Sequence, residues 1–180
     1  MYTGKEINLL KKYPKSKRNL DRGNKQKKKN QAVARRYGKE FFDGSRDTGY
    51  GGFYYNKKFW DNVVKDFIRF YKLNNKSKIL DVGCAKGFML YDFKRYLPSC
   101  KIRGIDISRY AIKNAKKEVK NFLDIGSCVK LPYKSNYFDL VISINTIHNL
   151  NKKMCSKSLK EINRVSKKNA FLTVDAYRNS

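Results

Sequence analysis

Five short apolar runs separated by amphipathic stretches, beginning at Lys78, constrain this chain more than anything else in it. KILDV, KIRGID, FLDI, FDLVISI and AFLTVDA each read as a strand. Between the first two, GCAKG opens an apolar helix that runs to about Leu97, where Pro98 marks its end. Ser108 is placed to cap a helix over SRYAIKNAKK, and KKMCSKSLKEINRVS forms the helix before the fifth strand. Strands alternating with helices require right-handed crossovers. These force a mostly parallel sheet with helices on both faces, an α/β three-layer sandwich of about five strands.

The rest of the chain reads differently. Between Lys11 and Arg36 there are twelve Lys or Arg and one acid, Asp21, so residues 1–40 are expected to form a basic arm, solvated or partly helical and outside the core. Residues 41–75 begin with FFDGSRDTGYGGFYYN. Its glycines suit a close-fitting loop, and its aromatic rings suit either a lid over a pocket or packing of the arm onto the domain. Phe59, Trp60, Val63, Val64, Phe67, Ile68 and Tyr71 then follow helical spacing, up to the Asn74–Asn75 turn. The strand-and-helix domain occupies residues 76–180.

Composition narrows the partners. The 180 residues carry 42 Lys or Arg against 15 Asp or Glu, a formal charge of +27, which attracts polyanions of any kind. The longest apolar stretch, FDLVISI, is far short of the roughly 20 residues a spanning helix needs, so no membrane insertion is expected. MYTGKEINLLKKYPK has no apolar leader segment. Cys84, Cys100, Cys128 and Cys155 form no CxxC pair and His148 is the only histidine, so reduced thiols in a cytoplasmic protein are expected, with no metal site. Cys84 and Cys128 are expected to line a pocket.

LDVGCAKG, Leu80 to Gly87, is the stretch that points to chemistry. An acid closes a strand, a tight glycine turn follows and a helix begins, so backbone can approach a ligand and the helix start offers unpaired N–H groups. The spacing is D-x-G-x-A-x-G, with Phe88 where a dinucleotide fingerprint needs its last glycine, which argues against NAD. A phosphate-binding loop would end in Lys-Ser or Lys-Thr, and this turn does not, despite Lys86. Asp106 ends the next strand, 25 residues after Asp81, where a carboxylate can accept both hydroxyls of a ribose. Two acids flanking a glycine turn make a site for a nucleoside with an amino-acid tail.

At these residues the sequence resembles the class I S-adenosylmethionine-dependent methyltransferases, over about residues 59–178. ILDVGCAKGFML is similar to the family's glycine-rich first motif, with Ala85 in place of its middle glycine. GSCVKLPYKSNYFDLVIS resembles the family stretch GDAxxLPFxDxSFDLVxS, with Ser127 at the position of the acid that meets adenine. NRVSKKNAFLTV is similar to the family's link into strand five, and GYGGFYY, INTIHNL and DAYR resemble a bacterial subgroup. The resemblance implies a Rossmann-like fold and S-adenosyl-L-methionine as cofactor. It places Asp81, Gly83, Cys84, Ala85, Gly87, Asp106, Ile107, Ser127, Cys128 and Asn145 at the cofactor. His148 is the candidate base and Asn145 a candidate for orienting the acceptor, with Tyr54, Tyr55, Asp175 and Tyr177 on the substrate side.

The expected activity is methyl transfer to a small molecule or glycan precursor. An RNA methyltransferase that uses the basic arm is the rival enzyme reading. INTIHN stands where base-amine methyltransferases often carry an Asn-Pro-Pro-Tyr-type motif, which disfavours a nucleic-acid partner. The family sheet has seven strands and this chain stops soon after the fifth. Strand five is therefore expected to be an exposed edge through which the chain dimerises, or the chain is a non-catalytic binding subunit.

Overall fold

The computed structural model describes residues 7–14 and 26–174. Its sheet has five strands, β1 (Lys78–Val82), β2 (Lys101–Asp106), β3 (Leu123–Ile125), β4 (Phe138–Ile144) and β5 (Ser166–Thr173), in the order β3-β2-β1-β4-β5. Every pairing is parallel. The order reverses between β1 and β4, so the crevice outside the carboxyl ends of these two strands is the topological switch point where open α/β sheets take ligands.

Alternation along β1 divides the core. Ile79 faces a cluster with Val63, Val64, Phe67, Leu90 and Phe93, whereas Leu80 and Val82 face a second cluster with Val141, Ile162 and Val165. The first layer comes from α3 (Lys57–Tyr71) and α4 (Phe88–Tyr96), joined by α5 (Arg109–Lys113); the opposite layer is α6 (Lys152–Val165). Caps account for where these helices start. Asn56 accepts from Lys58 N, Ser108 from Ala111 N and Asn151 from Met154 N, each satisfying an otherwise orphaned donor.

Three local expectations are revised. The helix after Ser108 lasts only five residues, because Asn114 ends it and the chain turns into a 3-10 segment, Lys120–Phe122. Strand β5 starts at Ser166, four residues before AFLTVDA, since no Gly or Pro separates it from α6 and Ser166 is already extended and paired with Phe138. The basic arm is not wholly outside the core: Leu9 is 7% exposed within the first cluster, Tyr13 packs on Phe59 and Trp60, and Lys12 pairs with Asp66. Within the arm, Lys27–Ala34 forms α1, and Lys39–Phe42 forms α2 just beyond it. Residues 15–25, and with them Asp21, lie outside the described residues, as do Asp175, Tyr177 and the rest of DAYR.

Candidate active site

The turn after β1 is built from left-handed backbone. Gly83, Ala85 and Gly87 have φ of 87, 48 and 74°. Glycine is required at Gly83 for a second reason: a Cβ there would lie 2.0 Å from Oγ1 of Thr146, which follows β4 across the switch point. Gly87 opens α4 as its N-terminal cap.

Two acids flank this turn in different states. Asp106, at the end of β2, accepts from Ala85 N through Oδ2 and from Ser108 N through Oδ1, each at 2.8 Å. Burial pushes its carboxyl up, and those two N–H groups oppose the shift. Asp81 is buried at the end of β1 with no side-chain hydrogen bond among the described residues. Burial, with the Asp106 charge adding to it, pushes Asp81 up to about 7. A buried acid this uncompensated suits a cation from a ligand.

Lys86 is committed elsewhere. Its ammonium donates to Asp43 Oδ1 and Oδ2 at 2.8 and 2.7 Å and to Phe53 O at 2.9 Å, which uses all three of its protons. Asp43 also accepts from Tyr110 OH and Phe53 N. Burial pushes the Asp43 carboxyl up, but Lys86 and Tyr110 outweigh that and hold it below the usual carboxylate range. Phe53 stacks on Phe88, and Phe42 on Tyr110. The Phe41–Phe53 aromatic segment is therefore packed over the loops that follow β1 and β2.

Tyr37 is the residue that the sequence reading missed. Its carbonyl accepts from Ser108 Oγ at 2.5 Å, and its own φ is 49°. Burial raises its hydroxyl, against the nearby Arg35, and the charges of Asp106 and Cys128 reinforce the rise. Its ring packs edge-on against Phe41, and the Ser108 bond ties its backbone next to the loop that carries Asp106. Only strained backbone at a lone Tyr marks it, and that is invisible without coordinates.

The remaining sites are distributed as follows. Ile107, beside Asp106, is 62% exposed and offers an apolar surface to a ring. Cys84 does not line the crevice with its thiol: it is buried in the core against Gly104, where burial pushes it well up, and it reaches the loop through backbone. Cys128 accepts from Ser158 Oγ on α6, and Ser127 Oγ accepts from Val129 N. Asn145 takes left-handed backbone, and its Oδ1 accepts from Thr173 Oγ1. His148 is half-buried in the 3-10 turn Ile147–Asn149 after β4. Tyr55 donates to Asp92 and accepts from Arg95, while Tyr54 is exposed.

A family model described as "Methyltransferase domain" matches residues 80–174, just over half of the chain and the whole span from the glycine turn through β5. The chain belongs to the methyltransferase domain family. Among curated relatives, it is 33% identical over 109 residues to a tRNA (carboxymethyluridine(34)-5-O)-methyltransferase of Arabidopsis thaliana, covering 58% of this chain and 25% of that protein. It is 36% identical over 104 residues to ajmaline N-methyltransferase of Rauvolfia serpentina, covering 53% and 34%. The chain thus spans about a quarter to a third of these relatives. The PH0226 protein of Pyrococcus horikoshii superposes with a TM-score of 0.50 at 26% identity, over 56% of this chain and 48% of that one. The cyclase SpnF does so at 0.51 and 23%, over 59% and 41%. SpnF shows the fold alone, and its name is a reminder that one fold hosts different reactions.

The cofactor that accompanies this methyltransferase family is S-adenosyl-L-methionine, and the residues present fit it. Asp81 lacks a cationic partner, Asp106 keeps acceptor capacity on both oxygens, and Ile107 exposes apolar surface beside it. Among the described residues no helix is long and apolar enough to cross a membrane.

Proposed function

We propose that this chain is an S-adenosyl-L-methionine-dependent methyltransferase whose acceptor is a small molecule or glycan precursor. The observation that carries the reading is the pair of acids, buried Asp81 and half-buried Asp106, at adjacent strand ends on either side of a left-handed glycine turn. In this reading Asp81 meets the amino group of the methionyl part, Asp106 the ribose hydroxyls and Ile107 the adenine face. The backbones of Gly83, Cys84, Ala85 and Gly87 lie along the methionyl tail, and Ser127 and Cys128 border the adenine.

The chemistry S-adenosyl-L-methionine supplies is in-line displacement at a methyl carbon with a neutral thioether leaving. The protein then has mainly to align the acceptor, and proximity is worth up to about 7–11 kcal/mol. His148 is the base proposed for an acceptor that must lose a proton. Asn145 orients the acceptor through its amide N–H groups, since its Oδ1 is held by Thr173. A small acceptor is supported by the aromatic segment clamped over the crevice through Asp43 and Lys86, which narrows access to it. Residues 76–180 carry the cofactor site, and residues 41–75 supply the cover.

Calorimetric titration with S-adenosyl-L-methionine and with S-adenosylhomocysteine tests the reading. Wild type binds saturably, and Asp106→Ala weakens binding about 10- to 100-fold, the worth of a charged hydrogen bond of about 1.5–3 kcal/mol. A folded wild type that binds neither compound overturns it, as does an unchanged affinity in Asp106→Ala. With a bound cofactor and an accepted substrate, His148→Asn is expected to cut turnover about 100-fold or more without changing cofactor affinity.

A further inference from the structure

Two recesses of about 410 and 940 Å³ meet at Tyr137, which lines both. The smaller lies at the starts of β1 and β5, and the larger runs from the starts of β2 and β4 along the outer edge to Asp124 and Ile125 of β3, which pair with Ile105 and Asp106. Lys72, Lys76, Lys167 and Lys168 border the smaller recess, and Lys101, Arg103 and Lys134 the larger. All seven are exposed, and none is paired with a carboxylate among the described residues. Nine Lys or Arg side chains line the two recesses in all, Lys78 and Lys94 included, against two acids, Asp124 and Asp139.

The acids that border the two recesses are already engaged. Asp139 accepts from Lys78 N, and Asp124 from Tyr133 OH. Aromatic rings interleave with the cations. Lys78 Nζ sits 4.1 Å from the Tyr137 ring centroid, Tyr133 borders the larger recess, and Phe122 is exposed at its rim with Lys94 Nζ 5.8 Å from its centroid.

We infer that this groove, on the side of the sheet where β2 and β3 start and run outward, binds single-stranded nucleic acid, RNA in particular. Unpaired cations along a concave track suit successive phosphates, and the exposed Phe122 and half-buried Tyr137 among them suit unpaired bases, which a duplex cannot offer and an acidic protein does not need. The smaller recess lies at the strand starts, about 15–20 Å from the crevice for strands of five to seven residues, and the larger follows the outer β2–β3 edge of the sheet. The groove is therefore an anchoring surface, and it does not depend on which acceptor is methylated.

Fluorescence anisotropy of the full chain with a labelled 12-residue oligouridylate, at 50 and 200 mM salt, tests the inference. The groove variant is Lys101→Ser with Arg103→Ser and Lys134→Ser. The charge-matched control is Lys27→Ser with Lys28→Ser and Lys29→Ser on α1. The groove variant is expected to bind at least tenfold more weakly than the control and to show a shallower salt dependence. Tyr137→Leu, which removes a stacking face and no charge, is expected to lose about five- to tenfold. Equal losses in the groove and control variants would overturn the inference, leaving only general attraction to a +27 chain. Equal or tighter binding of a polyglutamate of matched charge would overturn it in favour of an acidic protein partner. S-adenosylhomocysteine affinity, unchanged in all variants, shows that each is folded and keeps the outcome separate from the cofactor assignment.

Discussion

Lys86, on the glycine turn, and Asp43, on the N-terminal aromatic segment, form a buried ion pair with both carboxylate oxygens engaged, and their side chains are only 7% and 17% exposed. The pair joins the strand-and-helix domain to a part of the chain that has no place in the sheet. A lysine in a glycine turn suggests phosphate chemistry at first sight. Here it is a tie.

Breaking that tie leaves a charge buried without its partner. Asp43→Ala is expected to destabilise the protein by about 3–5 kcal/mol, whereas replacing both partners, Asp43→Leu with Lys86→Met, costs much less. Urea denaturation of the single and double variants checks this. A loss in the double variant equal to that in Asp43→Ala would show that the ion pair itself is not what matters.

Asp81 makes stability depend on pH. Its carboxyl is raised to about 7 in the folded protein, from an ordinary value of 3.8. Between those two values the folded state binds more protons than the unfolded one, so its stability falls as pH rises through that window and is flat above it. The full drop is at most about 4 kcal/mol. Asp81→Asn is expected to remove this slope, giving a variant more stable than wild type at pH 8 that no longer binds cofactor. Melting temperatures at pH 5 and pH 8 measure the effect, and an unchanged slope in Asp81→Asn would assign the titration to another group.

Gly83→Ala is expected to destabilise through two separable causes. Its φ of 87° strains any side chain, and its Cβ would collide with Thr146. Adding Thr146→Gly removes the collision and leaves the strain, so the pair should show a coupling of about 1 kcal/mol or more in a double-mutant cycle. Purely additive losses would mean that the two loops do not touch as described.

Tyr37→Ala is expected to weaken S-adenosylhomocysteine binding about tenfold, the scale of one aromatic contact, with Tyr37→Phe close to wild type. Calorimetry of the two variants decides whether the ring or the hydroxyl matters. Tighter binding in Tyr37→Ala would show that the ring obstructs the crevice instead of covering it.

Local pattern was enough for the sheet and for the glycine turn after β1. Strands β1, β2 and β4 fall on KILDV, KIRGID and FDLVISI residue for residue, because the central strands β1 and β4 are largely apolar and the outer strand β2 alternates exposed Lys101 and Arg103 with buried Ile102 and Gly104. Asp81, Gly83, Gly87 and Asp106 were legible because strand-end acids and positive-φ glycines need particular residue types at fixed spacing. Whatever is set by neighbours a few positions apart was therefore written locally in the chain. Tertiary structure alone decided the pairings across long separations: Asp43 with Lys86, Tyr37 with Ser108, Thr146 over Gly83, and Leu9 in the core. A lysine's partner, a tyrosine's resting place and the cations left without acids depend on which surfaces the sheet order brings together. No local periodicity encodes that order.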